Sequence, residues 1–160
     1  MFSTSAAKFL PTARRLAFLS KRPLASVASV PKDNVPAKDG ARIVVTKTQD
    51  ENHPILVAKV GDTLYAFDAT CPHMGKSMEK GMILTGDKAA GPDPEIKCRF
   101  HNTRFNMKTG VCTKWVTGVF GFDNQLVSGV AQKVGGEKQN ITAYQVTTNE
   151  DGSLTISDDK

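Results

Sequence analysis

The 160-residue chain is long enough for one domain with a tail, and its 39% hydrophobic content is sufficient for one modest core. No apolar run approaches the roughly 18 residues that a membrane-spanning helix needs, so we expect no transmembrane anchor. The net charge of +5 comes from residues 1–30, which hold five of the 21 basic residues and none of the 16 acidic ones. Because the rest of the chain is balanced, its charge does not indicate nucleic-acid binding.

Residues 1–30 have the composition of an organelle transit peptide, since they are rich in Ser, Ala and Arg and lack acidic residues. Apolar residues recur at helical spacing between Phe9 and Ala17, beside Arg14 and Arg15, which predicts a basic amphipathic helix. The continuous hydrophobic region of a secretory signal is missing. We therefore expect import into the mitochondrial matrix, with a plastid as the alternative; a disordered basic tail is the competing interpretation.

Residues 31–40 contain two prolines and a glycine, which indicates a linker, so the predicted domain comprises residues 41–160. From residue 41 onwards, short β-rich segments alternate with turns that contain Gly and Asp. This pattern favours an antiparallel all-β fold. The predicted strands are Ala41–Thr48, Pro54–Val60, Thr63–Ala69, Glu95–Phe100, Thr103–Met107, Ile141–Thr148 and Ser153–Ser157. Residues 85–94 are predicted to be a loop, and residues 118–140 fit either a long loop or an extra hairpin.

Four candidate metal ligands occur as two mixed pairs, Cys71 with His73 and Cys98 with His101. Two thiolates and two imidazoles suit a soft metal. A Cys₂His₂ zinc site usually pairs Cys with Cys and His with His along the chain. A Rieske-type [2Fe–2S] centre instead needs two cysteines on one iron and two histidines on the other. Two loops that each supply one Cys and one His meet that requirement.

The residues around the ligands strengthen this interpretation. The segments CPHMG at 71–75 and CRFHNTRFN at 98–106, followed by TG at 109–110, resemble the two ligand boxes of Rieske proteins. The resemblance covers about residues 41–117 and 141–157. It implies a Rieske-like antiparallel β-sandwich with a small cluster-binding subdomain made of loops 71–76 and 98–106. It also implies that one [2Fe–2S] cluster is held by Cys71, His73, Cys98 and His101.

The same resemblance implies a set of residues that surround the cluster without binding it. These are Met74, Gly75, Asn102, Thr103 and Phe105. Asn102 stands where the family usually has glycine, and Asn tolerates the left-handed conformation better than most residues. Thr103 and Phe105 stand where high-potential members have a hydroxyl and a tyrosine. We therefore expect a potential in the lower half of the roughly −150 to +300 mV that Rieske centres span.

Other departures from the family pattern narrow the type of Rieske protein. Lys76 and Phe100 occupy the positions of the disulfide cysteines of the respiratory type. No proline follows Pro94, so the proline-bearing loop that often covers the cluster is missing in its usual form. We expect Trp115–Phe122 to take its place, with Trp115 itself interpreted as a packing residue.

The histidine inventory excludes an oxygenase catalytic subunit, because only His53 remains for a mononuclear iron site that needs two histidines. The resemblance favours a soluble one-electron carrier, either a ferredoxin or an electron-transfer subunit of an oxidoreductase. The alternatives are the small subunit of an assimilatory NAD(P)H nitrite reductase and, from another class, a structural zinc-binding interaction module. Residues 71–114 hold eight basic and four acidic residues, so we expect a redox partner with an acidic docking surface.

Overall fold

The computed structural model describes residues 26–46, 48, 53–119, 122–123 and 136–158. The strands are β1 (Ser26–Val30), β2 (Arg42–Val45), β3 (Ile55–Val60), β4 (Thr63–Asp68), β5 (Thr70–Cys71), β6 (Lys76–Ser77), β7 (Met82–Leu84), β8 (Glu95–Lys97), β9 (Arg104–Asn106), β10 (Cys112–Lys114), β11 (Gly118–Val119), β12 (Phe122–Asp123), β13 (Ala143–Thr148) and β14 (Leu154–Ser157). Two short 3₁₀ helices span Lys32–Asn34 and Gly86–Lys88. Within the described ranges, no helix has the length and apolar character needed to cross a membrane.

The strands form one large and one smaller antiparallel sheet. The large sheet has six strands in the order β1-β14-β13-β4-β3-β2, and an isolated bridge links Ala28 of β1 to Thr48, which follows β2 in the chain. The smaller sheet has four strands in the order β10-β9-β8-β7, and β5–β6 and β11–β12 form two separate hairpins. The predicted antiparallel all-β fold is confirmed, and each predicted strand contains an observed one.

Strand β3 separates two hydrophobic cores. Its first four side chains are all buried, because a strand alternates its side chains between two faces and both faces of β3 are covered. Leu56 and Ala58 point into the first core, whereas Ile55 and Val57 point into the second. The continuous apolar run at the start of this strand thus reflects the burial of both of its faces.

The first core joins the large sheet to the loops that contain the candidate ligands. Phe67 from the large sheet lies in the same cluster of buried residues as Ile96 and Phe105 from the smaller sheet, and both Cys71 and Cys98 belong to it. The second core is formed within the large sheet by residues such as Val30, Leu154 and Ile156. The ligand-bearing region is therefore packed directly onto the sheet.

The domain begins earlier than the sequence analysis predicted. Strand β1 lies in residues assigned to the leader, yet it pairs with β14, and its Val30 is only 2% exposed. Residues 31–40, predicted to be a linker, are also fixed: the Lys59 ammonium donates to the Ala37 carbonyl and the Gly61 amide donates to Asp39. The two-residue alternation of a five-residue strand is too short to stand out in a Ser- and Ala-rich segment. Residues 1–25 lie outside the described part.

The two segments that the sequence left as loops differ in outcome. Residues 85–94 form the predicted loop, with one 3₁₀ turn at Gly86–Lys88. The segment 118–140 starts with a hairpin of β11 and β12, as one of the two interpretations held. Most of its remainder lies outside the described residues.

Candidate metal centre

The first ligand loop is the connection of the β5–β6 hairpin. Cys71 ends β5 and pairs with Lys76 at the start of β6. The chain turns back because the amide of Gly75 donates to the carbonyl of Cys71 over 2.9 Å. Gly75 has a φ of +62°, a left-handed conformation that glycine adopts without steric cost. His73 lies inside this turn, two residues after the cysteine.

The second ligand loop follows β8 and has the same closing bond. The amide of Asn102 donates to the carbonyl of Cys98 over 3.1 Å, and the Cys98 amide donates to the Thr103 carbonyl over 2.8 Å. Asn102 has a φ of +57° and is fully buried. The prediction that this Asn replaces glycine in a left-handed position is thus confirmed. The turn places His101 three residues after Cys98.

The two cysteines meet in the buried part of the site. Cys71 is 2% exposed and Cys98 is 1% exposed. The Cys71 thiol donates a hydrogen bond to Cys98, which lowers the pKa of Cys98 to about 6, while this bond and burial raise the pKa of Cys71. The amides of Phe100 and His101 also donate to the Cys98 sulfur, and the amide of His73 donates to that of Cys71. Such amides stabilise thiolates, which are the form that binds metal.

The two histidines meet on the outer side of the same loops. Their Nδ1 atoms are 3.1 Å apart, and their rings are nearly perpendicular with centroids 4.6 Å apart. Burial, and then the neighbouring His73, lowers the pKa of His101. A lowered pKa favours the neutral imidazole, which is the form that can bind a metal.

The pairing of these donors fits a two-metal cluster. In the described part of the chain, no three or more His, Cys, Asp or Glu side chains are grouped so that they could hold one metal ion. A structural zinc site needs four donors around one point. Here the donors instead form a thiol pair, Cys71 with Cys98, and an imidazole pair, His73 with His101. Two pairs match the requirement of a Rieske cluster, in which each iron takes one pair.

Most of the residues predicted to surround the site are buried beside it. Asn102, Thr103 and Phe105 are all 0% exposed, and Phe105 shares the first core with both cysteines. Met74 and Gly75 differ, since both are exposed, Met74 by 50%, and they therefore lie on the surface of the first ligand loop.

Trp115 packs against the first core, as its interpretation as a packing residue predicted, and it also contacts a candidate ligand. Its ring lies 5.5 Å from that of His73, at an angle of 81°. The next two residues contact the second ligand loop. The Val116 amide donates to the Thr103 hydroxyl, and the Thr117 amide donates to the His101 carbonyl. The missing proline after Pro94 was the only sequence signal that another segment covers this side of the site.

A tight turn after the second loop anchors it to the C-terminal strands. The Asn106 side chain accepts hydrogen bonds from the amides of Lys108 and Thr109. Gly110 follows with a φ of +72°, and a Cβ atom there would collide with the Ile141 carbonyl. The Ile141 amide in turn donates to the Gly110 carbonyl. The glycine is thus required both by its conformation and by this close approach.

Comparison with known proteins agrees with this geometry. The family model of the Rieske [2Fe–2S] domain matches residues 24–118. A ferredoxin, CarAc, from Metapseudomonas resinovorans is 40% identical over 58 residues, which are 36% of this chain and 47% of the relative. The chain thus spans about half the length of the curated relative that it matches.

Solved structures share the fold at low identity. The ferredoxin of carbazole 1,9a-dioxygenase from Nocardioides aromaticivorans IC177 has a TM-score of 0.51 and 19% identity, covering 84% of this chain and 97% of that one. A protein described as an NADH-dependent nitrite reductase small subunit from Mycobacterium tuberculosis has a TM-score of 0.53 and 14% identity, covering 84% and 91%.

The fold and the paired donors define an iron–sulfur protein of the all-β class. The family match extends over more than half of the chain and includes both ligand loops. This chain therefore belongs to the Rieske [2Fe–2S] domain family, and its cofactor is a [2Fe–2S] cluster.

Proposed function

We propose that this protein is a one-electron carrier of the Rieske ferredoxin type, acting freely or as the electron-transfer subunit of an oxidoreductase. The observation that supports this most strongly is the arrangement of the four donors as a pair of buried thiols and a pair of adjacent imidazoles, of which His101 is half-buried. Cys71 and Cys98 would hold the inner iron, and His73 and His101 the outer one. When bound, the cluster supplies a site that accepts and releases a single electron.

The rest of the chain gives this site a rigid frame. The ligand loops are closed by the bonds of Gly75 and Asn102 and packed on the first core, so the donors keep their places when the charge of the cluster changes. Amides directed at the two sulfurs stabilise negative charge there. The protein needs no substrate pocket for this function.

The partner would be a redox protein with an acidic docking surface. Lys76 and Arg99, one in each ligand loop, are exposed, and Arg99 lies over the Phe100 ring at 5.7 Å. Exposed Met74 adds an apolar contact beside them. Exposed basic side chains in both ligand loops attract an acidic surface over a distance that shrinks as salt rises. The structure of a complex between a ferredoxin and the oxygenase of carbazole 1,9a-dioxygenase has the same fold for its ferredoxin-like part, with a TM-score of 0.53.

A reductive titration tests the carrier function. Cluster-loaded protein should take up one electron per chain from dithionite and return it to ferricyanide, through several cycles without bleaching. A chain that takes up no electron, or that is colourless and contains one zinc ion, would contradict the proposal. Reduction of nitrite would not be expected from this chain alone, since it has no further metal-binding group in its described part.

The proposed location is the mitochondrial matrix, supported by the composition of residues 1–30. Because β1 begins at Ser26, the leader would have to end before this residue for the sheet to remain complete. A fluorescent protein fused after residue 25 should enter mitochondria. Arg14→Glu combined with Arg15→Glu should leave the fusion in the cytosol, and accumulation in plastids would favour the alternative.

A further inference from the structure

The two histidines of the site are unequally exposed. His73 is only 7% exposed, whereas His101 belongs to the half-buried residues of the chain. Both histidines lie in loops at the same end of the fold, and their Nδ1 atoms are adjacent. The difference therefore needs a neighbour that covers one ring and leaves the other open.

Trp115 is an aromatic neighbour of His73. Its ring meets the ring of His73 edge to face at 5.5 Å, while His101 contacts His73 from another side at 4.6 Å. The indole is held in place because its Nε1–H donates to the Gly136 carbonyl over 3.3 Å. An aromatic ring fixed at its far edge is a stable cover for an imidazole.

The backbone beside Trp115 fastens this cover to the second ligand loop. The Val116 amide donates to the Thr103 Oγ1 over 3.4 Å, and the Thr117 amide donates to the His101 carbonyl over 3.2 Å. We call Trp115–Thr117 the strap. It thus contacts the first loop through a ring and the second loop through two hydrogen bonds.

The conformation of Val116 shows that these contacts determine the path of the strap. Val116 is fully buried and has a φ of +40°, a region that β-branched residues rarely adopt. Such strain persists only where the surrounding structure fixes it, and it is concentrated at functional sites. A strap that merely followed local preference would not adopt this conformation.

We propose that Trp115 is a positioning residue that shields His73, so that a redox partner approaches the cluster at His101. The proposal rests on the carrier function and adds which imidazole faces the partner. In each encounter one electron passes between the cluster and the acidic redox protein; one of them is oxidised as the other is reduced, and no bond is formed. Arg99 lies in the same loop as His101 and is exposed, so one basic side chain is close in sequence to the more exposed imidazole.

Labelling of the cluster-loaded full chain with diethyl pyrocarbonate, followed by peptide mapping, tests the shielding. His53 is exposed and serves as an internal reference for the reagent. Both cluster-bound imidazoles should be modified more slowly than His53, because iron occupies one of their ring nitrogens, and His73 should be modified at least several-fold more slowly than His101. Equal rates at His73 and His101 in the wild-type protein would overturn the proposal without any variant.

Two variants and a control assign the shielding to the indole. Trp115→Ala should raise the labelling rate of His73 several-fold and leave those of His101 and His53 unchanged. Trp115→Phe should restore most of the protection, because it keeps a ring and loses only the bond to Gly136. Lys114→Ala, an exposed change on the preceding residue, should alter none of the three rates.

The outcomes separate this proposal from the carrier function. Unchanged labelling of His73 in Trp115→Ala would overturn the shielding even if the cluster takes up an electron normally. A wild-type chain without a visible cluster would overturn the carrier function instead. If Trp115→Ala does not load its cluster, the test rests on the ratio of the His73 and His101 labelling rates in the wild type and on Trp115→Phe. A Phe variant that keeps the cluster absorbance but leaves His73 unprotected would also contradict the role of the ring as a cover.

Discussion

Gly75 and Asn102 occupy equivalent positions in the two ligand loops. Each lies four residues after a ligand cysteine, donates its amide to the carbonyl of that cysteine, and has a φ near +60°. Both loops therefore turn by the same device, although one uses glycine and the other a buried asparagine. The equivalence makes a residue that tolerates positive φ a structural requirement at position 102 of the second loop.

The effect of substituting Asn102 should depend on whether the new residue tolerates a positive φ, and not on its side-chain volume. Asn102→Ala should lower the free energy of unfolding by about 1–2 kcal/mol, because alanine is strained at positive φ, and should reduce the yield of loaded cluster. Asn102→Gly should keep the loop and most of the cluster. Chemical denaturation and iron content would measure both effects, and an Ala variant as stable as the Gly variant would show that the turn does not depend on φ.

Truncation tests the start of the domain. A chain that begins at Ser26 should fold and bind its cluster like the full-length protein. Removal of residues 1–30 deletes β1 with its buried Ala28 and Val30, and should lower the free energy of unfolding by about 3 kcal/mol. Thermal melts followed by circular dichroism would show the difference. Equal stability of the two truncated chains would mean that β1 contributes nothing to the fold.

Thr103 should set part of the reduction potential. Its hydroxyl is fully buried next to His101 and accepts a hydrogen bond from the Val116 amide, which leaves its own proton to donate. If that donation favours the reduced cluster by about 1 kcal/mol, Thr103→Val should lower the potential by roughly 40 mV, since about 1.4 kcal/mol corresponds to 59 mV for one electron.

Thr103→Ser supplies the matched control, because it keeps the hydroxyl and loses only a methyl group. Its potential should stay close to that of the wild type in protein-film voltammetry. A wild-type value above about +200 mV would contradict the predicted lower half of the Rieske range. Equal potentials in the Val and Ser variants would show that the Thr103 hydroxyl does not affect the reduction potential.

Tyr144 in β13 is hydrogen-bonded to the end of β4, the neighbouring strand of the large sheet, which leads into the first ligand loop. Its hydroxyl donates to Asp68 Oδ1 over 2.8 Å, and Asp68 Oδ2 accepts from the Thr142 amide. Burial, followed by the bond to Asp68 and the charge of Asp68, raises the pKa of Tyr144 above its ordinary value of about 10. The folded state thus holds the phenol proton more tightly than the unfolded chain does.

The consequence is a loss of stability in alkaline solution. The contribution of Tyr144 should be fully present below about pH 10, where both states hold the proton, and should fall as the pH rises further. Tyr144→Phe should cost about 1 kcal/mol at neutral pH and should flatten the alkaline decline. Urea denaturation between pH 7 and 11 would measure this, and parallel pH curves for the two proteins would exclude the coupling.

The sequence predicted the site better than its surroundings. The spacing of Cys71, His73, Cys98 and His101 indicates the two loops, because loop closure over three or four residues leaves few geometries. The left-handed position of Asn102 was also foreseen, since few residue types tolerate it. A cover by Trp115–Phe122 was expected from the missing proline, and Trp115 and Thr117 do contact the two ligand histidines. The ring contact between Trp115 and His73 was not foreseen, because contact between segments forty residues apart depends on tertiary packing. Strand β1 was not predicted for a related reason: its pairing with β14 is determined by residues at the other end of the chain.

The two cores show where such prediction ends. Consecutive buried residues in β3 are visible in the sequence as a hydrophobic run. Which of these residues pack into the first core and which into the second is seen only in the folded structure. The first core then explains why a change in the sheet, such as Leu56→Ala, would also be felt at the ligand loops.

The electron paramagnetic resonance spectrum of the reduced protein, together with its iron and sulfide content, tests the presence of the cluster and the assignment of its four ligands. The wild-type chain should contain two iron and two sulfide per chain and give the rhombic signal expected of a Rieske centre. His73→Cys and His101→Cys should each keep some iron but give a different signal and a shifted potential. A colourless protein with one zinc ion, or spectra unchanged in both variants, would contradict the assignment of these four residues as the cluster ligands.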